Sequence, residues 1–160
     1  MSTPAVTLAW PIDMQRPRAN GRKPTITGTY TGHLFLRNPP STAPGLDIAV
    51  DEHTEVYAAA GGRAKLGHND TAGNHVLIQH DRHTATLYCH LSAVWLVQNQ
   101  HILPGEIIGL AGATGHTIGG PHLHFSVIHR PGSGTPQDGD YIDPLPLLPT
   151  VQEASELPGR

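Results

Sequence analysis

Short stretches in which apolar and polar residues alternate run through most of the chain. In the segment 122–127 (HLHFSV), Leu123, Phe125 and Val127 place an apolar side chain at every second position, which is the period of a β-strand. The segment 45–50 (GLDIAV) alternates in the same way. Both stretches are therefore predicted to be strands with one apolar and one polar face.

Turn-forming residues separate further stretches of this kind. The segment 54–68 (TEVYAAAGGRAKLGH) predicts two strands around a Gly-Gly turn, and the segments 73–81 and 84–92 predict a hairpin. The segment 8–12 (LAWPI) could open the first strand, and 25–35 (TITGTYTGHLF) has the composition of a strand and a turn. Because no stretch has a sustained helical period, we predict an all-β protein, an antiparallel β-sandwich with few or no long helices.

The 160 residues suffice for one domain with a sizeable core. We expect a tail over residues 1–7, a single β domain over 8–148 and a flexible tail over 149–160. Only 14% of the residues are charged, the net charge is −3 and no basic stripe is visible, so nucleic acid is not an expected partner. No apolar run is as long as a membrane span.

Two histidines in the last predicted strand are the first candidates for chemistry. His122 and His124 share the face opposite Leu123, so their imidazoles can bind one metal ion, or one can bind and the other act as an acid or base. A polar strand edge that faces solvent would give the same pattern.

Asp47 and His90 are polar residues at strand positions where an apolar side chain is expected. Strand alternation places His90 on the same face as Thr86 and Tyr88, and Cys89 on the other face. We therefore expect Cys89, the single cysteine, to be buried and inert. A carboxylate with three imidazoles offers the ligands and acid–base groups of a catalytic zinc site.

The whole series of motifs resembles the lysostaphin-type zinc endopeptidases, which cut peptide cross-links in bacterial cell walls. The resemblance extends from residue 8 to residue 148 and rests on the segments ITGTYTG, PGLDIAV, EVYAAAGGRA, GNHVLIQHD, LYCHLS, PGEIIGLAGATG, GPHLHFSV and DPLPLL. It implies a β-sandwich with a groove along one sheet, a Zn²⁺ cofactor, peptidoglycan cross-bridges as substrate and a monomer. It also implies that Asp47 and His124 are metal ligands and that His90 and His122 are catalytic.

The chain departs from the family at one expected ligand. The family's first ligand is a histidine four residues before the aspartate, and this position is Ala43 here. Four explanations are open: another histidine, best placed at His33, takes over the role; the position was changed deliberately to silence the enzyme; the loop is aligned wrongly; or the chain is a natural pseudo-enzyme. A histidine in a surface turn is the competing interpretation of His33.

The resemblance implies a zinc-dependent endopeptidase of peptidoglycan, impaired if nothing replaces the ligand missing at Ala43. The alternative is a non-catalytic relative that binds and regulates cell-wall hydrolases. The first 24 residues contain no apolar segment typical of an export signal. We therefore expect synthesis in the cytoplasm, with access to the wall by phage lysis or by an injection machine.

Overall fold

The computed structural model describes residues 3–37, 41–117, 119–132 and 140–150. These residues form ten strands, one α-helix and one 3-10 helix. The strands are β1 (Thr25–Gly28), β2 (Leu46–Ala49), β3 (Glu55–Tyr57), β4 (Gly62–Asn69), β5 (Gly73–Gln79), β6 (Thr84–Val94), β7 (His101–Ile102), β8 (Ile107–Ala111), β9 (His122–His129) and β10 (Tyr141–Ile142). The helix α1 spans Tyr30–Phe35, and the 3-10 helix spans Leu145–Leu147.

The strands of the described residues pair in antiparallel fashion throughout. The main sheet has the order β1-β2-β9-β6-β5-β4-β7, with β10 beside β9. The pairing of β5 with β6 is the hairpin predicted across residues 81–83. The prediction of an antiparallel all-β fold is therefore confirmed. Within the described residues no helix combines the length and the apolar character needed to cross a membrane.

The long strand β6 connects the main sheet to the strand pair β3–β8. Its first part, up to Cys89, lies between β9 and β5, whereas its last part, from Leu91, pairs with β8. The core includes Tyr88 and Phe125 of the main sheet and Ile108 of β8, all fully buried. The residues that alternate with Tyr88 and Phe125, such as Cys89 and His124, lie on the opposite face of the main sheet.

The N-terminal segment contributes to the core without forming a strand. Leu8, Trp10 and Ile12 are buried, but residues 8–12 are not part of any ladder, so the predicted opening strand is wrong. Pro11 has no N–H to donate to a ladder. The indole of Trp10 donates a hydrogen bond of 2.8 Å to the carbonyl of Pro149. Residues 1–2 and 151–160 of the predicted tails lie outside the described part of the chain.

Helix α1 differs from the strand and turn predicted for residues 25–35. Strand β1 ends at Gly28 and the helix begins after Thr29, whose side-chain oxygen accepts a hydrogen bond of 3.1 Å from the N–H of Gly32. Threonine is a favourable N-cap residue because it satisfies a free N–H of the first turn. A helix of six residues is too short to show a helical period in the sequence.

Candidate metal centre and catalytic site

The pairing of β2 with β9 brings two of the predicted site residues together. Asp47 and His124 are direct partners in this ladder, and their side chains lie on the same face of the sheet. Oδ1 of Asp47 is 2.8 Å from Nδ1 of His124. Both residues are buried, with 8% and 7% of their surface exposed.

Helix α1 supplies a third group to the same place. His33 is only 1% exposed, so its interpretation as a histidine in a surface turn is wrong. Its Nε2 lies 3.2 Å from Oδ2 of Asp47. One ligand atom each from His33, Asp47 and His124 lies within 4.8 Å of the other two.

Backbone carbonyls fix the orientation of both imidazoles. Nδ1 of His33 lies 2.7 Å from the carbonyl oxygen of Thr29, and Nε2 of His124 lies 2.7 Å from that of Ala43. A carbonyl oxygen can only accept a hydrogen bond, so these two nitrogens carry the ring hydrogen. In the neutral rings, Nε2 of His33 and Nδ1 of His124 therefore present lone pairs to the carboxylate of Asp47.

This arrangement requires a cation. Two nitrogen lone pairs facing a carboxylate repel it unless a ring gains a second proton or a metal ion lies between them. Nε2 of His33 is also buried without a hydrogen-bond partner. Two imidazoles and a carboxylate form a common ligand set of catalytic zinc sites, and ligand histidines usually donate their other N–H to a carbonyl or carboxylate. The donor set therefore fits Zn²⁺.

The charge of Asp47 is strongly favoured in this environment. Burial alone would raise the pKa of its carboxyl group, but hydrogen bonds and positive charge from the imidazoles of His124 and His33, in their doubly protonated form, outweigh burial and hold this pKa well below its usual range. The guanidinium of Arg37 also lies 3.0 Å from Oδ2 of Asp47. Sequence reasoning did not single out Arg37, which lies on the segment after α1, 10 residues away from Asp47 in the chain.

An irregularity in β6 brings His90 to the same face. Tyr88 is buried in the core, but the register shifts between residues 74 and 76 of β5, and His90 has a positive φ of 65°. The ring centroid of His90 consequently lies 4.8 Å from that of His122 and 6.2 Å from that of His124. The expectation that His90 shares a face with Thr86 and Tyr88 is thus wrong, because the bulge breaks the alternation.

His90 and His122 are held in the same manner as the other two imidazoles. Nδ1 of His90 is 2.7 Å from the carbonyl oxygen of Thr114, and Nδ1 of His122 is 3.1 Å from that of Gly120. Both nitrogens therefore carry hydrogen in the neutral rings, which leaves Nε2 of each as a base. Nε2 of His122 lies 3.7 Å from Oδ1 of Asp47.

Burial changes the acidity of two groups at the site. It lowers the pKa of His90 to about 4, so this ring is neutral at physiological pH. Burial and, to a smaller extent, the charge of Asp47 raise the pKa of the Cys89 thiol to about 12. Cys89 is the ladder partner of His124, but a thiol this weakly acidic is neither a nucleophile nor a ready zinc ligand at neutral pH.

Two glycines allow the close approach of backbone and side chains at the site. A Cβ atom at Gly28 would lie 3.0 Å from Cγ of Asp47, and a Cβ atom at Gly45 would collide with the carbonyl of Phe125. The loop before β2 can therefore lie directly on β9, with the Ala43 carbonyl above His124. Ser126, whose Oγ lies 2.9 Å from Nε2 of His124, is a second partner of this ring.

A groove adjoins these residues on the same face of the main sheet. A hollow of about 590 Å³ is lined by the backbone and side chains around Ala43, Leu77, Leu87, Cys89 and Tyr141, among others. Lys65 of β4 also contributes to its wall.

Most of the chain matches one known protein family. Residues 41–144 match the model of peptidase family M23. The chain belongs to this family. Peptidase family M23 comprises the lysostaphin-type zinc metallopeptidases, and its matched segment includes Asp47, His90, His122 and His124 but begins after His33.

Two matches from Vibrio cholerae, one curated sequence and one solved structure, are among the most similar proteins. The peptidoglycan DD-endopeptidase ShyA is 40% identical over 87 residues, which are 54% of this chain and 20% of ShyA. The crystal structure of a zinc-containing peptidase is 29% identical, with a TM-score of 0.66, and the alignment covers 90% of this chain and 41% of that one. The chain thus spans about a fifth of the length of its curated relative ShyA.

The catalytic domain of lysostaphin from Staphylococcus simulans has the same fold. Its TM-score is 0.65 at 24% identity, and the alignment covers 77% of this chain and 90% of that domain. The comparisons therefore support a hydrolase of the metallopeptidase type with a mostly antiparallel β fold.

Proposed function

We propose that this chain is a zinc-dependent endopeptidase that cuts the peptide cross-links of bacterial peptidoglycan. In this proposal His33, Asp47 and His124 hold the zinc, and His90 and His122 act on the substrate. The observation that supports it most directly is the cluster of one carboxylate and two lone-pair nitrogens within 4.8 Å. The DD-endopeptidase relatives suggest the substrate class.

Bound zinc would supply Lewis acidity to the scissile carbonyl and make water a better nucleophile at neutral pH. His90 is neutral at that pH and has a free Nε2, so it can accept the proton of the attacking water. The Nδ1–H of His90 stays on Thr114, which keeps Nε2 aimed at the site.

His122 is the residue suited to the developing oxyanion and the leaving amine. Its Nε2 lies 3.7 Å from Oδ1 of Asp47, and its ring is 4.8 Å from that of His90. When protonated at Nε2, it can donate a hydrogen bond to the negative charge that develops on the carbonyl oxygen. The same proton can then pass to the leaving amine.

The presence of His33 in the cluster argues against impairment by Ala43. The cluster provides three protein ligands, the usual number for a catalytic zinc site with an open position. An active enzyme is therefore the proposal, and the non-catalytic regulator remains the outcome to be excluded.

The test is hydrolysis of purified cell walls by the zinc-loaded chain, with released peptides identified by mass spectrometry. We expect release that stops with a chelator and resumes with zinc. The changes His90→Ala and His122→Ala should each abolish most release and leave the zinc content near normal, whereas His116→Ala, at an exposed loop position, should change neither. A chain that holds zinc but releases no peptide would overturn the proposal and favour the regulator.

A further inference from the structure

The groove beside the metal centre ends in a group of positive charges. Ser126 of β9, Leu87 of β6, Leu77 of β5 and Lys65 of β4 are successive ladder partners. Direct partners present their side chains on the same face, so Lys65 lies on the face that carries His124. Because neighbouring strands are about 4.8 Å apart, Lys65 is about 14 Å from β9 across the sheet.

A neighbouring row adds further cations to the same end. Arg63 is the partner of Gln79 on β5 and of His101 on β7. Arg63 and Lys65, together with Arg82, line a second hollow of about 590 Å³. Lys65 also lines the hollow beside Cys89, so the two hollows adjoin on one face.

In the described part of the chain, Lys65 and Arg63 bond to neutral acceptors rather than to carboxylates. The Lys65 ammonium donates a hydrogen bond of 2.8 Å to the side-chain amide oxygen of Asn99, and the Arg63 guanidinium donates one of 3.0 Å to the backbone carbonyl of Asn99. Among the residues that the structure describes, neither forms an ion pair within 4.0 Å. Among the described residues that line the second hollow, Asp81 is the one with a carboxylate. Its Oδ1 accepts a hydrogen bond from the backbone N–H of His83.

The charge of this end is opposite to that of the chain as a whole. The chain has a net charge of −3, yet the described lining of the second hollow carries three cationic side chains against Asp81 alone. Between this end and the metal centre the floor consists of Leu77 and Leu87. Such a surface suits a peptide with small aliphatic side chains followed by a carboxylate.

We propose that Arg63 and Lys65 form a subsite for a carboxylate of the peptide substrate. The 14 Å that separates Lys65 from β9 corresponds to about four residues of an extended peptide, at about 3.3 Å per residue. The proposal rests on the peptidase function proposed above. It assigns to these two residues the selection of acidic peptides over amidated ones.

Two synthetic peptides provide the test. They share one D-alanine-rich sequence and differ at the fourth residue from the expected cleavage point, where one carries a free carboxylate and the other a carboxamide. Binding is measured by fluorescence anisotropy with the zinc-loaded His122→Ala chain, which should not consume them. We expect about tenfold tighter binding of the acidic peptide, and a difference that shrinks as salt is raised.

The change Arg63→Gln with Lys65→Gln should remove this preference, and Arg63→Lys with Lys65→Arg should keep most of it. Lys23→Gln is the matched control. Like Lys65, Lys23 is exposed and donates a hydrogen bond to a side-chain amide oxygen, here that of Gln15 at 2.7 Å. It should leave the preference intact. Equal binding of the two peptides, or a preference that survives the double Gln change, would overturn the subsite.

Hydrolysis of the same peptides by the chain with His122 intact tests the proposed function separately. A zinc-loaded chain that cleaves neither peptide counts against the peptidase proposal, whereas the binding comparison still decides whether the subsite exists. If both proposals hold, the double Gln change should raise KM for the acidic peptide and leave kcat largely unchanged.

Discussion

The carbonyl oxygen of Ala43 lies 2.7 Å from Nε2 of His124. The family resemblance expects a ligand side chain at position 43, but here the backbone of this residue orients a different candidate ligand. Because Nε2 of His124 donates to Ala43, its Nδ1 is free to face Asp47. Position 43 thus contributes to the centre through its main chain, and in the proposed zinc site the imidazole of His33 takes the place of the missing one.

His33 should be essential for metal binding. We expect the chain to hold about one zinc per molecule after dialysis and His33→Ala to lose it, with an affinity loss beyond the roughly 10–100-fold typical of an outer partner of a ligand. Zinc content measured by inductively coupled plasma mass spectrometry checks this, with His116→Ala as the control. Ala43→His should not raise the zinc content. If zinc content rises with Ala43→His and does not respond to His33→Ala, the assignment of His33 is wrong.

Arg37 should weaken the binding of metal. Its guanidinium lies 3.0 Å from Oδ2 of Asp47, and its side chain is 52% exposed. A divalent cation bound at Asp47 is repelled by this like charge, so Arg37→Gln should increase zinc affinity several-fold at low salt and less at high salt. Competition with a chromophoric chelator measures the affinity. The control is Arg22→Gln, an exposed arginine elsewhere; weaker binding in Arg37→Gln would show that the guanidinium supports the site.

Cys89 should be unreactive although it adjoins His124. Its thiol has a pKa of about 12, chiefly because of burial and also because of the charge of Asp47, so the thiolate is scarce at pH 8. We expect negligible labelling of the native chain by iodoacetamide over a time that labels the chain fully in denaturant. Cys89→Ala should keep both zinc and activity. Rapid labelling of the folded chain would contradict the burial of this residue.

The metal-free chain should lose stability in weak acid because of His90. Burial lowers the pKa of His90 from 6.5 to about 4. Between these values the unfolded chain binds a proton that the folded chain does not, so the free energy of unfolding decreases as the pH falls from 6.5 toward 4. In chelator, the melting temperature should fall more steeply over this range than in His90→Asn. Asparagine does not titrate and tolerates the left-handed backbone of this position. Equal slopes in the two chains would count against a role for His90.

The strands with a simple alternation could be predicted from the sequence, but three features of the site could not. Helix α1 has too few residues for a periodic signal. The bulge at His90 depends on the pairing of β6 with β5 and β8, which no local pattern encodes. The contact of Arg37 with Asp47 depends on how α1 is placed beside β2. The family resemblance supplied Asp47, His90 and the pair in β9, and it left a substitute ligand at His33 as one of four explanations. The contact of His33 with Asp47 in the structure favours that explanation.

The position of His33 also determines where this domain can be cut. The segment that matches peptidase family M23 begins at residue 41. A shortened chain that starts at this boundary would still contain every described strand from β2 onward. It would nevertheless discard β1, α1, the proposed third ligand and the charge of Arg37, together with the buried Trp10. On the proposed ligand assignment, the minimal unit that preserves the centre starts upstream of the family boundary, and activity lost on trimming would report the removal of His33 and of part of the core rather than an inactive domain.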